Sequence, residues 1–131
     1  MIAIDTNIVV RFLTKDDAAQ FNQSVRIFET EDVFIPDTVI LESEWVLRFA
    51  YSFEANQISH AFKKMLGLPN VTVRNIEQIS LAIDWHERGL DFADAMHLAA
   101  SQNYAGFYTF DSRFVKQAKG LTNCIVKKPR F

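Results

Sequence analysis

Four carboxylates stand where an acid is either costly or well placed for chemistry: Asp5, Glu42, Asp94 and Asp111. Asp5 closes the apolar run Met1-Ile2-Ala3-Ile4, and Asp111 closes Phe107-Tyr108-Thr109-Phe110. Short apolar runs bounded by turn residues read as strands. In an open parallel sheet, ligands bind beyond the carboxyl ends of the strands. Both acids would then emerge at one sheet edge, and strand order decides whether they are neighbours. Glu42 and Asp94 fall in mostly apolar helical segments. Around Glu42 on the helical wheel are Thr38, Val39, Trp45, Val46 and Phe49, while Ala93, Ala95 and Leu98 surround Asp94. An ionised carboxylate in such company is costly unless paired or bound to metal, and gathered like charges repel. A divalent cation resolves both problems, and hard carboxylate oxygens suit Mg²⁺ or Mn²⁺.

Each acid also has a plain structural reading. Asp5 can cap the turn that follows it, and Asp111 can be an ordinary turn residue before Ser112. Asp94 lies three residues after Asp91, a helix cap, where a negative charge favours the helix dipole. Glu44 has neighbours similar to those of Glu42, so the wheel does not choose between them. It is the joint placement of the four that favours a metal site.

The elements that must position these acids alternate along the chain. Met1–Ile4 reads as a central strand. Asn7 caps a short helix over Ile8–Leu13. Asp17 caps an amphipathic helix to about Thr30, with Phe21, Val25 and Phe28 on one face. Val33–Ile35 is a second strand, stopped by Pro36. Asp37 caps a long helix from Thr38 to about Ala50. Ile58, Phe62 and Met65 mark another helix, closed by Gly67 and Pro69. Val71–Val73 is a third strand. Asn75 and Gln78 suggest a capping box for a helix that Gly89 ends. Asp91 caps a helix to about Asn103. Phe107–Phe110 is the fourth strand, a short helix covers Phe114–Ala118, and Cys124–Val126 is the fifth strand. This pattern predicts an α/β fold, a three-layer α/β/α sandwich on a central five-stranded parallel sheet.

A length of 131 residues fits a single domain, residues 1–131, and twelve Phe with two Trp supply ample core material. No apolar run approaches the ~20 residues of a membrane span, and the N-terminus lacks signal-peptide features, so a cytoplasmic protein without membrane association is expected. Cys124 is the only cysteine. It allows no internal disulfide and reads as a small buried hydrophobe. The net charge of −2 shows no basic excess of the kind simple nucleic-acid binders carry. Setting four metal-bound carboxylates aside, however, takes the balance from −2 to +2.

The chain resembles a PIN domain and is most similar to the VapC toxins of bacterial and archaeal toxin–antitoxin pairs. The resemblance rests on Ile2-Ala3-Ile4-Asp5-Thr6-Asn7, on Ile35-Pro36 through Leu41-Glu42 with Trp45-Val46-Leu47, on Asp91-Phe92-Ala93-Asp94-Ala95-Met96-His97-Leu98-Ala99, and on Thr109-Phe110-Asp111-Ser112-Arg113-Phe114. These pieces span nearly the whole chain in the family's order. The resemblance implies that Asp5, Glu42, Asp94 and Asp111 are catalytic metal-binding acids brought together by the family fold, and it selects Glu42 over Glu44. It also implies supporting roles for Thr6, Asn7 and Thr109. Arg113 stands where some relatives carry further acids. The implied activity is a Mg²⁺-dependent endoribonuclease, with Mn²⁺ as the alternative ion, that attacks RNA phosphodiesters with a metal-activated water. No side chain serves as nucleophile, and the products carry 5′-phosphate and 3′-hydroxyl ends. Implied partners are a tRNA or rRNA substrate, a cognate antitoxin and a second copy of the chain in a homodimer.

Candidate phosphate contacts are Arg11, Lys15, Arg48, Arg113 and Lys116, each within about two turns of an acidic motif, and each equally readable as a solvated surface charge. His97 could face the site, whereas His60 and His86 show no ligand spacing. Trp45, Trp85 and the many Phe read as core or dimer interface. Two alternatives differ in class. One is a PIN-type nuclease of RNA processing outside toxin–antitoxin pairs. The other is a non-enzymatic receiver-like signalling domain, disfavoured because Thr6 follows Asp5 and Arg74-Asn75 follows Val73 where acids are needed. A phosphatase of the Asp-x-Asp type fails at Asn7. No Gly-rich phosphate loop or zinc-ligand spacing is present.

Overall fold

Strand ends in this chain are followed at once by helix caps, and that spacing builds the structure. A computed structural model describes all 131 residues. The fold consists of two compact units, Met1–Ile76 and Glu77–Phe131.

The first unit contains β1 (Ile2–Ala3), α1 (Thr6–Thr14), α2 (Ala18–Thr30), β2 (Val33–Phe34), α3 (Asp37–Ala50), α4 (Ala55–Leu66) and β3 (Val71–Thr72). Its three strands pair in parallel in the order β1-β2-β3, with Ile2 opposite Val33 and Val33 opposite Val71. Helix α1 packs against both α2 and α3, and Phe12 stacks on Phe28 with ring centroids 4.0 Å apart. Val9, Val33, Ile35, Ile40, Leu47, Ile58 and Phe62 are fully buried. Fully burying a side chain of this kind contributes roughly 1.5–3 kcal/mol. Asn70 binds the C-terminal end of α2, its side-chain amide donating to the carbonyls of Phe28 and Glu31.

The second unit contains α6 (Phe92–Ala100), β4 (Gly106–Tyr108), α7 (Ser112–Gln117) and β5 (Ile125–Lys127), together with nearly all of α5 (Ile76–Glu87). β4 and β5 pair in parallel, Gly106 opposite Ile125 and Tyr108 opposite Lys127. Gly89, at φ +106°, takes the left-handed turn that ends the α5 segment. Ile79, Ile83, Trp85, Phe92, Leu98 and Phe114 are buried, as is Cys124.

Seven helices alternating with parallel strands make this the mixed α/β class that the sequence predicts. The five strands do not form one continuous hydrogen-bonded sheet, however. They divide into sets of three and two, and β1, expected at the centre, is an outer strand of its set with Ile2 46% exposed. Strands of two or three residues offer few ladder bonds each, so the sheet is small. Two helix starts also differ from expectation. Asp5, not Asn7, caps α1, because its extended backbone lets Oδ1 accept from the Ile8 amide. Asp37 is the first residue of α3, behind Pro36, and its carboxylate accepts from Arg74 Nε at 2.7 Å instead of capping. Trp45 is 56% exposed, so it is not core. No helix is long and apolar enough to cross a membrane.

Candidate active site

Asp5 ends the β1 segment and opens α1. Its Oδ1 accepts from the Ile8 amide at 3.2 Å, which leaves Oδ2 outside the cap. The next residue, Thr6, is buried and donates its hydroxyl to Glu42 Oε1 on α3. This bond fixes the Glu42 carboxylate beside the start of α1, where Asp5 is anchored. The helix N-terminus adds a favourable field for negative charge there. Glu42 itself is exposed, so the burial cost argued from its helical wheel does not apply to it.

That cost falls on Glu44 instead. Glu44 is 1% exposed and accepts from Arg48 Nε at 2.8 Å and Arg48 Nη2 at 3.2 Å. A buried carboxylate committed to a guanidinium one turn away is structural. The geometry thus separates the two glutamates that helical periodicity leaves equivalent.

In the second unit, Asp94 occupies the first turn of α6, and its backbone amide donates to the Asp91 cap. Asp94 is half-buried. Burial pushes its carboxyl pKa up, and the like charges of Asp91 and Asp111 push it further, while His97 opposes them. Asp111 caps α7, its Oδ1 accepting from the Arg113 and Phe114 amides at 2.9 and 3.2 Å. Thr109 Oγ accepts from the Asp111 amide at 3.0 Å, so the threonine holds the strand-to-helix turn that presents the acid. Burial is the largest of the effects on Asp94, and the nearby acids add to it.

Among the predicted cations, Arg11 is occupied. Its Nη1 bridges both oxygens of Asp16 at 3.0 Å and the Tyr51 hydroxyl at 2.8 Å. Arg48 serves Glu44 and lies 4.4 Å from the Phe49 ring centroid. Lys15 is exposed and sits 5.5 Å from the Phe21 ring centroid. Arg113 and Lys116 are exposed on α7, the helix that Asp111 caps. His97 is exposed near Asp94, and its positive form would favour the ionised acid.

Residues 2–120 match the PIN domain family. The chain belongs to the PIN-domain family. The match runs across both units, and the PIN fold is generally that of a metal-dependent nuclease, so the coarse activity is that of a phosphodiester hydrolase acting as a nuclease. No curated protein matches the sequence.

The donor chemistry of this PIN domain fits a divalent cation. All four predicted acids supply hard oxygens, Asp5 and Asp111 each spend one oxygen on a helix cap, and Asp94 lies in a like-charge field that a cation would relieve. No group of three or more His, Cys, Asp or Glu side chains is arranged to hold an ion. Sequence reasoning missed the polar groove beside Asp5, where Gln20 and Gln23 of α2 face Asn7 of α1. Its only sequence signal is the pairing of two glutamines three residues apart on one helix face.

Proposed function

We propose that this PIN domain is a Mg²⁺-dependent endoribonuclease, the toxin of a VapC-like toxin–antitoxin pair, with Asp5, Glu42, Asp94 and Asp111 as its metal-binding acids. The two units act together as one domain in this reading. The observations that carry it are the PIN match over residues 2–120 and the placing of half-buried Asp94 in the first turn of α6, behind the Asp91 cap. The Asp94 carboxyl is held up by burial and by two neighbouring acids, an arrangement that costs stability and calls for a compensating cation.

Bound Mg²⁺ or Mn²⁺ would supply Lewis acidity toward the phosphate and a water acidic enough to attack at neutral pH. The protein's own side chains do the positioning. Thr6 locks Glu42, the α1 and α7 caps orient Asp5 and Asp111, and Thr109 sets the turn before Asp111. Asn7, exposed in the first turn of α1, is a supporting polar residue in this reading. Arg113 and Lys116 are the cations best placed to meet RNA phosphates, whereas Arg11 and Arg48 already hold carboxylates.

The substrate in this reading is a tRNA or rRNA, and the partners are an antitoxin and a second copy of the chain. Trp45 and Phe49, both exposed on α3 with ring centroids 5.0 Å apart, supply apolar surface for such a partner. The test is induced expression of the chain alone, followed by sequencing of cellular RNA ends. Growth arrest with new 5′-phosphate ends in one RNA class is expected. Relief of the arrest by the product of a small neighbouring reading frame would support the toxin role. Processing of a single precursor without arrest would instead favour an RNA-maturation nuclease. Purified protein should lose cleavage in chelator and regain it in Mg²⁺ or Mn²⁺, and undiminished cleavage in chelator would overturn the metal assignment.

A further inference from the structure

Charge is divided unevenly along the chain. All sixteen Asp and Glu lie within residues 1–111, together with eight of the fourteen Lys and Arg, a balance of −8. Residues 112–131 hold the other six cations and no acid, a balance of +6. These six are Arg113, Lys116, Lys119, Lys127, Lys128 and Arg130, and every one is exposed. None of them forms an ion pair, unlike Arg11, Arg48 and Arg74 of the first unit, which each hold a carboxylate. Exposed cations without acidic partners make a field that attracts polyanions. Lys127, Lys128 and Arg130 also lie beyond residues 2–120, so the family match does not assign them.

The second unit sets this charge beside the acid that follows β4. β4 and β5 run in parallel, so their carboxyl ends share one edge. Lys127 lies opposite Tyr108, and the Thr109 amide donates to the Lys127 carbonyl at 3.1 Å. Residues 128–130 therefore leave the sheet where Phe110 and Asp111 leave it. Arg113 and Lys116, three residues apart on α7, share a helix face directly after Asp111. Aromatic rings stand among these cations. Lys127 Nζ lies 5.6 Å from the Tyr108 ring centroid. Tyr108 is 58% exposed and Phe110 85%, so core packing does not account for the Phe110 ring. Cations interleaved with open aromatic faces match single-stranded RNA, whose phosphates take the charges and whose unpaired bases stack on the rings. A duplex keeps its bases stacked on one another, and an acidic polypeptide would use the cations alone.

We propose that the exposed edge formed by Phe110, Lys127, Lys128 and Arg130 holds a single-stranded stretch of RNA flanking the cleaved phosphate, with the cations on phosphates and Phe110 stacked on a base. This rests on the nuclease reading above. Binding of a short fluorescent single-stranded oligoribonucleotide, and of the same strand in a duplex, to the full chain in Ca²⁺ is followed by fluorescence anisotropy over a range of salt. Lys128→Gln with Arg130→Gln should lower the slope of log affinity against log salt by about 1.4, two phosphates at about 0.7 each for a single strand. Arg26→Gln with Lys64→Gln, an equal loss of exposed charge in the first unit, should leave the slope unchanged. Phe110→Ala should weaken single-strand binding about tenfold, as for one lost base stack, with the slope and duplex binding unmoved. Equal effects of the two double variants, or no effect of Phe110→Ala, would overturn the surface. A polyglutamate peptide that binds as tightly as the RNA, with Phe110→Ala moving neither, would mark a site for an acidic protein instead. Adding Mg²⁺ tests the nuclease separately. Cleavage with a KM unmoved by Lys128→Gln with Arg130→Gln would keep the nuclease and overturn the surface, and the expected binding pattern without cleavage would keep the surface and refute the nuclease.

Discussion

Replacing Asp5 by asparagine removes a charge and keeps a cap. Oδ1 of Asp5 accepts from the Ile8 amide at 3.2 Å, and an asparagine carbonyl can accept the same bond with equal cap preference. Asp5→Ala removes the bond as well. The cap is worth about 1 kcal/mol, and loss of the carboxylate's interaction with the helix N-terminus costs at most a few tenths to 1 kcal/mol more. For a domain of this size, 1 kcal/mol shifts Tm by roughly 3–5 °C. Asp5→Asn should therefore melt within about 3 °C of the parent, and Asp5→Ala several degrees below it. Both should have lost RNA cleavage in Mg²⁺ if Asp5 binds the ion. The assays are thermal unfolding by circular dichroism and gel-resolved RNA cleavage in Mg²⁺ with purified protein. Cleavage retained by Asp5→Asn would refute the metal role. Equal destabilisation by the two substitutions would refute the capping account, because it would mean that charge and not the hydrogen bond holds the start of α1.

Asp94→Asn should abolish cleavage without lowering stability at neutral pH, since it removes a half-buried carboxylate from beside Asp91 and Asp111. A destabilised variant would show the acid to be structural. The pH dependence follows from the same shift. The Asp94 pKa is raised above its ordinary 3.8, so between that value and the raised one the folded state holds a proton that the unfolded chain has lost. Its contribution is therefore most favourable below the ordinary value and is lost as pH rises through the raised one, and denaturant titrations at several pH values should show this slope disappear in Asp94→Asn. Arg48→Ala leaves Glu44, 1% exposed, without its guanidinium, and should cost roughly 2–4 kcal/mol in urea unfolding, with much of that recovered by adding Glu44→Leu. Mg²⁺ at about 100 times its Kd should stabilise the parent by ~2.7 kcal/mol. Asp5→Asn should lose most of that gain, and an equal gain in both would place the ion elsewhere.

Much of this protein is written locally. Apolar runs ended by Asp5, Pro36 and Asp111, helix caps at Asp17 and Asp91, and the left-handed Gly89 are short-range features, and the mixed α/β class follows from their alternation. Hydrogen bonds over three or four residues decide them, so the sequence suffices. Strand order did not follow from it, because two- and three-residue strands carry no pairing signal of their own. Asp5, not Asn7, became the α1 cap because two adjacent candidates compete and only backbone geometry chooses. Which of Glu42 and Glu44 is buried was equally hidden from helical periodicity, since both lie on the same helix among similar neighbours. Tertiary packing decided it by burying Glu44 on Arg48 and setting the Thr6 hydroxyl, 36 residues away, against Glu42. The raised Asp94 carboxyl and the bond from Arg11 to Gln20 depend likewise on side chains meeting in space, a distance that no spacing along the chain encodes.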